Sequence, residues 1–169
     1  KPHFSTKMNL QLIVNATHST ISKVIVNGKE VQWKMIDGTV GSPKISIESP
    51  YADSYKIEII WSNETLEQLA PISSICEGEN IRIATKNATI LVIKDTQNAL
   101  KNAIINTNEI TAVANTIGNK SFFVKLKQKE MIWWQAIDIN IKSNLEIVSN
   151  AVKGENAVVV IKNNTKKSV

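Results

Sequence analysis

Apolar and polar residues alternate along residues 120–142, on both sides of a polar break at residues 128–130. A period of two residues is typical of β-strands that bury one face, because successive side chains point to opposite sides of a sheet. The pattern therefore predicts a β-hairpin at the centre of the fold. The side chains predicted to be buried on its two arms are Phe122, Val124, Leu126, Met131, Trp133, Ile137, Ile139 and Ile141.

A second hairpin is predicted around Asn27 and Gly28. Apolar residues alternate at residues 21–26 and again at residues 31–35, with this dipeptide between them. Asn-Gly readily adopts the positive φ angles that a type I′ turn requires at both central positions. The two stretches should therefore pair as the arms of one hairpin.

Other stretches give different signals. Residues 88–93 form a continuous apolar run, which is typical of a central strand that is buried on both faces. Plausible helical turns occur only at residues 62–71 and 95–103, and neither stretch is long enough to form a helical layer. The rest of the pattern consists of short strands about 8 to 12 residues apart, separated by turn residues.

Composition favours the same class of fold. The chain of 169 residues is 43% hydrophobic, and its many Ile and Val side chains suit pleated sheet better than helix. We predict an all-β fold, an antiparallel β-sandwich, in the form of two small immunoglobulin-like sandwiches in tandem at residues 8–70 and 71–165. One large sandwich over residues 8–165 is the alternative, and periodicity does not separate the two arrangements.

The formal net charge of +5 would favour an anionic partner if the basic residues gathered on one surface. The lysines are instead spread singly along the predicted strands. Arg82 is the only arginine, although bidentate recognition of phosphate or guanine usually relies on arginine. The one dense basic group consists of Lys162, Lys166 and Lys167. We therefore predict no nucleic-acid partner.

The sequence also bears on membrane insertion and export. No apolar run approaches the roughly 18 residues that a membrane-spanning helix needs. No hydrophobic segment follows the charged start of the chain, so no signal peptide is visible. We therefore expect no membrane span, and we expect the chain to be a mature form or a piece of a larger protein.

Few residues suit catalysis or metal binding. Cys76 is the single cysteine and is interpreted as a small buried residue, since a nucleophile would need a nearby histidine and His3 and His18 lie far upstream. Two isolated histidines do not form a metal motif. Glycoside hydrolysis would need two facing carboxylates about 5 to 10 Å apart, and no acid is singled out, with Asp138 assigned to a solvent face. We predict no catalytic residue, no metal site, no cofactor and no enzymatic activity.

Aromatic side chains are the more informative group. The tryptophans predicted to pack in the core, by their strand positions, are Trp33, Trp61 and Trp133. Trp134 directly follows one of these and must face the other way. We predict that Trp134 contacts a neighbouring domain, with a platform for sugar stacking as the alternative. Tyr51 and Tyr55 are further candidates for the same role.

Three passages carry a resemblance to a known group of proteins. They are VNGKEVQWKMIDGTVGSPKISIESP followed by YKIEIIW, then DTQNALKNA, then KSFFVKLKQKEMIWWQAIDINI. Together they resemble the non-catalytic β-sandwich portions of large, uncharacterised bacterial glycosidase-like proteins, in which such modules accompany an (α/α)6 barrel related to rhamnosidase-type enzymes. The resemblance covers most of residues 10–141. It implies a secreted or periplasmic parent protein whose catalytic acids lie in a helical barrel outside these residues, so no catalytic residue is carried over.

These considerations give three functional hypotheses. The first is an accessory, non-catalytic β-sandwich segment of an exported bacterial glycan-processing protein, with a structural or domain-docking role. Its partner would be a neighbouring domain, such as a helical-barrel glycosidase domain. The second is a carbohydrate-binding module that binds polysaccharide through exposed aromatic residues. The third is a stand-alone glycoside hydrolase, which is disfavoured because no acid or nucleophile has a partner.

Overall fold

The computed structural model describes residues 8–165, apart from the side chain of residue 153. These residues form fifteen β-strands and no helix, which confirms the all-β prediction. This part of the chain therefore contains no helix that could span a membrane. His3, Lys166 and Lys167 lie outside the described residues.

In chain order, the strands are β1 (Leu10–Asn15), β2 (His18–Val26), β3 (Lys29–Glu30), β4 (Trp33–Ile36), β5 (Lys44–Ser49), β6 (Ile57–Thr65), β7 (Ser74–Cys76), β8 (Asn80–Ala84), β9 (Thr89–Lys94), β10 (Leu100–Asn106), β11 (Glu109–Ala114), β12 (Gly118–Gln128), β13 (Met131–Lys142), β14 (Leu145–Lys153) and β15 (Asn156–Asn163).

Strands β1 to β6 form two antiparallel three-stranded sheets, in the orders β1-β5-β4 and β3-β2-β6. The turn between β2 and β3 contains Asn27 and Gly28, whose φ angles are 50° and 78°. The predicted Asn-Gly turn is therefore confirmed, since a turn with positive φ at both central positions matches the twist of the two strands.

The second arm predicted for that hairpin is not continuous. Strand β3 ends at Glu30, and β4 then pairs with β5 in the other sheet. There Trp33 lies opposite Ile47, and Met35 lies opposite Ile45. The alternation of Trp33 and Met35 with polar residues would suit a strand in either sheet. These two side chains join the sheet of β5 because there they pair with isoleucines that have no exposed surface.

Strands β7 to β13 form two further sheets, in the orders β7-β13-β12-β9 and β10-β11-β8. Strand β7 is parallel to β13, and the other ladders of these two sheets are antiparallel. The predicted central hairpin is confirmed, because β12 and β13 pair from Gly118 opposite Ile141 to Gln128 opposite Met131. All eight side chains predicted to be buried on it are at most 3% exposed.

The apolar run at residues 88–93 does not form a central strand. Strand β9 lies at the edge of its sheet, and the side chains of Leu91 and Val92 are 42% and 41% exposed. The register between β9 and β12 shifts at this point, so that Val92 lies opposite Lys125 while Leu91 has no partner across the ladder. A bulge interrupts the alternation of faces, and two neighbouring apolar residues are exposed as a result.

The predicted helical turns are also wrong. Residues 62–65 belong to β6, residues 66–73 lie outside any strand, and residues 100–106 form β10. Short stretches have little helical stability of their own, and here the ladder hydrogen bonds to β2 and β11 determine the backbone conformation.

Buried side chains from these four sheets form one hydrophobic cluster. The cluster includes Val24 and Ile47 from the first pair of sheets, and Ile110 and Trp133 from the second. The all-β fold, with several antiparallel sheets around this cluster, confirms the predicted antiparallel β-sandwich. The division at residues 70 and 71 stays a prediction.

Candidate functional site

The connection between the two sets of strands is held by glutamine side chains of the central hairpin. Gln128 is 1% exposed, accepts a hydrogen bond from the backbone N–H of Glu67 at 2.9 Å and donates one to the carbonyl oxygen of Thr65 at 3.1 Å. Gln135 accepts from the N–H of Leu69 at 2.9 Å and donates to its carbonyl oxygen at 3.0 Å. Residues 66–73 have no strand partner, and these side chains supply part of the hydrogen bonding that a ladder would otherwise give.

Glu67 extends this contact to the second pair of sheets. Its carboxylate accepts backbone N–H bonds from Lys86, Asn87 and Ala88 at 2.7, 2.8 and 3.0 Å. Burial by itself would raise the pKa of Glu67, but the three backbone donors together with the charge of Lys86 hold the pKa below its ordinary value. The carboxylate therefore stays ionised at neutral pH and fixes the loop before β9.

Trp134 lies on β13, where the first set of strands meets the second. Its backbone N–H donates to the carbonyl oxygen of Thr39 at 2.8 Å, and its own carbonyl oxygen accepts from the N–H of Gly41 at 2.8 Å. Val40 completes a parallel bridge with it. The indole ring is half-buried, and the Lys125 amine lies 5.8 Å from the ring centroid. The backbone of Trp134 thus contacts another part of the same chain.

The two predicted tyrosines lie in residues 50–55, after β5. Tyr51 is 45% exposed and donates its hydroxyl proton to Asp53 at 2.7 Å, and this hydrogen bond to a carboxylate raises the pKa of Tyr51. The hydroxyl of Tyr55 donates to the carbonyl oxygen of Pro50 at 3.0 Å and accepts from the N–H of Ala52 at 2.9 Å. Both hydroxyls hold the conformation of this loop.

The structure separates these tyrosines from Trp134. The loop that contacts Trp134 precedes β5, and the tyrosine loop follows it. The six residues of β5 extend over about 17 Å at roughly 3.4 Å per residue, and the loops lie at opposite ends of this strand. Trp134 therefore lies at the opposite end of β5 from Tyr51 and Tyr55.

The outer face of the central hairpin is a feature that sequence reasoning missed. On this face Asn119 lies opposite Asn140, and Ser121 lies opposite Asp138. The Ser121 hydroxyl donates to Asp138 at 2.5 Å, and the Ser121 N–H donates to the side-chain oxygen of Gln97 at 2.9 Å. An open groove of about 470 Å³ lies over these residues. The polar residues at the start of β12 and the end of β13 could have indicated a polar site here. The alternation by itself assigned Asp138 only to a solvent-exposed face.

Strands β14 and β15 form a separate two-stranded sheet. Within the described part of the chain, neither strand pairs with a third. Ladder partners share a face, so one face carries most of the large apolar groups, which we call the apolar face. Its apolar residues are Leu145, Ile147, Val152, Ala157, Val159 and Ile161, and Asn150 and Asn163 lie on the same face. The Leu, Ile and Val side chains among these apolar residues are 45% (Leu145) to 79% (Val152) exposed, and Ala157 is exposed as well.

The base of this hairpin is attached to strand β7 and to the residues that follow β13. Asn164 donates its backbone N–H to the carbonyl oxygen of Asn144 at 2.9 Å and its side-chain amide to that of Ser143 at 3.1 Å. The thiol of Cys76, buried as predicted, lies 3.1 Å from the carbonyl oxygen of Asn164. Among residues 8–165, no group of three or more His, Cys, Asp or Glu side chains is arranged to hold a metal ion.

Comparisons with known proteins give distant likenesses to solved structures. No protein-family model and no curated protein matches the chain. Among solved structures, the chain is similar to SGBP-B of the Bacteroides ovatus mixed-linkage glucan utilization locus, solved with a mixed-linkage heptasaccharide, at 8% identity and a TM-score of 0.30. That match covers 84% of this chain and 44% of the other, so the chain spans less than half of that protein's length.

A second likeness is to a chimeric titin Z1Z2-Z1Z2 tandem functionalized with a GRGDS peptide from fibronectin, at 10% identity and a TM-score of 0.31. It covers 80% of this chain and 92% of the titin chain. Likenesses as distant as these two do not bear on what the chain binds or does.

Proposed function

We propose that this chain is an accessory, non-catalytic β-sandwich segment of an exported glycan-processing protein, and that its role is structural. In this proposal the hairpin β14–β15 docks a neighbouring β domain. The single observation that supports docking is the exposed apolar face of that hairpin. The glycan-processing context and the secreted or periplasmic location rest on the resemblance of residues 10–141 alone.

A hairpin without neighbouring strands gains from a partner on its apolar face. A two-stranded sheet is marginally stable in water, because it has too little apolar area to bury against itself. The six apolar side chains of the apolar face are exposed, and covering them would contribute about 1 kcal/mol for each half-exposed Val, Leu or Ile. A partner on this face would therefore stabilise the hairpin and order it.

The chemistry of the hairpin favours a β domain as the partner. Both outer edges of the hairpin carry backbone N–H and C=O groups without a ladder partner among the described residues. Another sheet can pair with such an edge and also cover the apolar face, whereas a helix would cover the face and leave the edges open. Residues 143–144 are the whole connection from β13, so the partner would sit beside the second sandwich.

Hydrogen exchange tests this proposal. We would express the chain alone and also within the full open reading frame of its gene. The amides of β14 and β15 should exchange fast in the isolated chain and about 100-fold more slowly in the longer protein, because docking suppresses local opening. Ile161→Lys should remove this protection. Ser149→Lys, on the other face of the same hairpin, is the matched control and should have a smaller effect.

Three results would contradict the proposal. The first is equal exchange of the hairpin amides in both proteins. The second is a dimer of the isolated chain that Ile161→Lys dissociates, measured by light scattering, since the occupant of the face would then be a second copy. The third is turnover of any glycoside by the isolated chain, which would contradict the non-catalytic role.

A further inference from the structure

The outer face of the central hairpin changes in chemical character along its length. Ladder partners on β12 and β13 share a face and follow one another every two residues. The first four of the five successive pairs on the outer face are Asn119 with Asn140, Ser121 with Asp138, Phe123 with Ala136, and Lys125 with Trp134. At roughly 3.4 Å per residue this row is about 20 Å long. One half carries amide, hydroxyl and carboxylate groups, and the other half carries two aromatic rings.

The polar half presents fixed donors and acceptors. Gln97 uses its side-chain oxygen to accept from the Ser121 N–H, which leaves its amide N–H groups to donate elsewhere. Asp138 uses one carboxylate oxygen for the Ser121 hydroxyl, which leaves the other oxygen as an acceptor. Asn119 and Asn140 also line the groove and are exposed. Planar amide and carboxylate groups match vicinal hydroxyl groups, which both donate and accept hydrogen bonds.

The aromatic half offers a platform of low relief. Phe123 and Trp134 are diagonal neighbours, and of the two residues beside this diagonal Ala136 adds only a methyl group while Lys125 is the one large side chain. Val92, which is 41% exposed, lies opposite Lys125 on the neighbouring strand and extends the apolar surface. The Lys125 amine lies over the Trp134 ring, and a flexible, solvated lysine can leave that position at small cost.

We propose that this outer face binds a neutral oligosaccharide. The hydroxyl groups of the ligand bond to Gln97, Asn119, Asp138 and Asn140 in the groove, and its apolar ring faces stack on Phe123 and Trp134. Polar and aromatic groups in one row suit a ligand that carries hydroxyls at its edges and apolar C–H faces between them. The site shares no residue with hairpin β14–β15, so a test of sugar binding is independent of a test of the docking role.

Calorimetric titration of the isolated chain tests this inference. The probes are neutral glucose, xylose and mannose oligomers of two to six units with defined linkages. Affinity for at least one series should rise with length until the oligomer spans the row. Phe123→Ala and Trp134→Ala should each weaken binding about tenfold through lost stacking. Asn140→Ala should weaken it about fivefold through a lost hydrogen bond, and circular dichroism should report an unchanged fold for this exposed position.

Matched controls separate the site from other surfaces. Asn150→Ala changes an exposed asparagine on hairpin β14–β15, and Tyr51→Ala changes an exposed aromatic residue far along the chain, so neither should alter affinity. The inference is overturned if no neutral oligomer binds with a dissociation constant below about 10 mM, which corresponds to a binding free energy of about −2.7 kcal/mol. It is also overturned if Asn140→Ala and Trp134→Ala, both folded, bind like the parent chain, or if only charged oligomers bind and salt abolishes the binding.

Discussion

Hairpins β12–β13 and β14–β15 are adjacent in the chain and both carry alternating apolar residues, but they lie in opposite environments. The first has strands β9 and β7 on its flanks and one face in the core. The second has no flanking strand among the described residues. Ile139 in the first hairpin is 3% exposed, whereas Ile161 in the second is 58% exposed.

The difference shows that alternation specifies a strand with an apolar face but does not supply the surface that covers it. The first hairpin buries its apolar face in a cluster that includes side chains of other sheets, such as Ile110 on β11. The second hairpin is attached at its base, where Asn164 and Cys76 meet. The first hairpin therefore gains the free energy of burying its apolar face, and the second hairpin, with the same local pattern, does not.

The largest expected effect is on the core of the first hairpin. Leu126→Ala, at a side chain with no exposed surface, should lower the free energy of unfolding by about 2–5 kcal/mol, because it removes buried methyl groups and leaves a cavity. Urea titration followed by tryptophan fluorescence measures this change. Leu145→Ala makes the same substitution in the second hairpin, where it should cost below about 0.5 kcal/mol. Equal losses would mean that the two hairpins are equally buried in solution.

A smaller effect is expected at the turn end of the first hairpin. Gln128→Ala removes the acceptor of the Glu67 N–H and the donor to Thr65, and should cost about 1–3 kcal/mol because buried backbone groups lose their partners. Urea titration again provides the measurement. Gln32→Ala, at an exposed glutamine, is the control and should change stability little. A neutral result for Gln128→Ala would mean that water replaces its bonds.

Acidification should loosen the same end of the molecule. The folded-state pKa of Glu67 is held below the ordinary value of 4.5. Its stabilising contribution is therefore complete above about pH 4.5 and is lost as the pH falls through the lower folded-state pKa. The stability of the parent chain should decline more steeply from about pH 5 to about pH 3 than that of Glu67→Gln, in thermal melts. Parallel declines would contradict this role.

The smallest expected effect concerns the base of the second hairpin. Asn164→Ala removes side-chain bonds to Ser143 and Glu146 and should lower global stability by about 0.5 kcal/mol or less, since these groups are partly solvated. Hydrogen exchange should nevertheless become several-fold faster in β14 and β15 alone, because only their tether is weakened. Unchanged exchange would mean that the hairpin is ordered by its own ladder.

Much of the fold was predictable from local pattern. Alternation correctly identified the buried faces of the central hairpin, down to Trp133, and Asn27-Gly28 correctly identified a turn. These features depend on backbone geometry and on the two-residue period, which neighbours in the sequence determine. Predictions that were wrong concern the position of a strand within its sheet. Residues 88–93 were predicted to form a central strand, but β9 lies at an edge.

The candidate sites depended on contacts that no local pattern contains. Trp134 was singled out because it cannot share a face with Trp133, but its pairing with Val40 joins residues far apart in sequence. The groove over Ser121 and Asp138 likewise needs the register of β12 against β13 and the reach of Gln97.

The sequence by itself determined that this chain forms β-strands with one apolar face each, because that property follows from the alternation of side chains. Only the tertiary structure decided which faces are covered. Val124 is fully buried and Val159 is 49% exposed, although both lie in alternating strands. The reason is physical: burial requires a second surface, and long-range packing alone brings one strand its cover and leaves another without it.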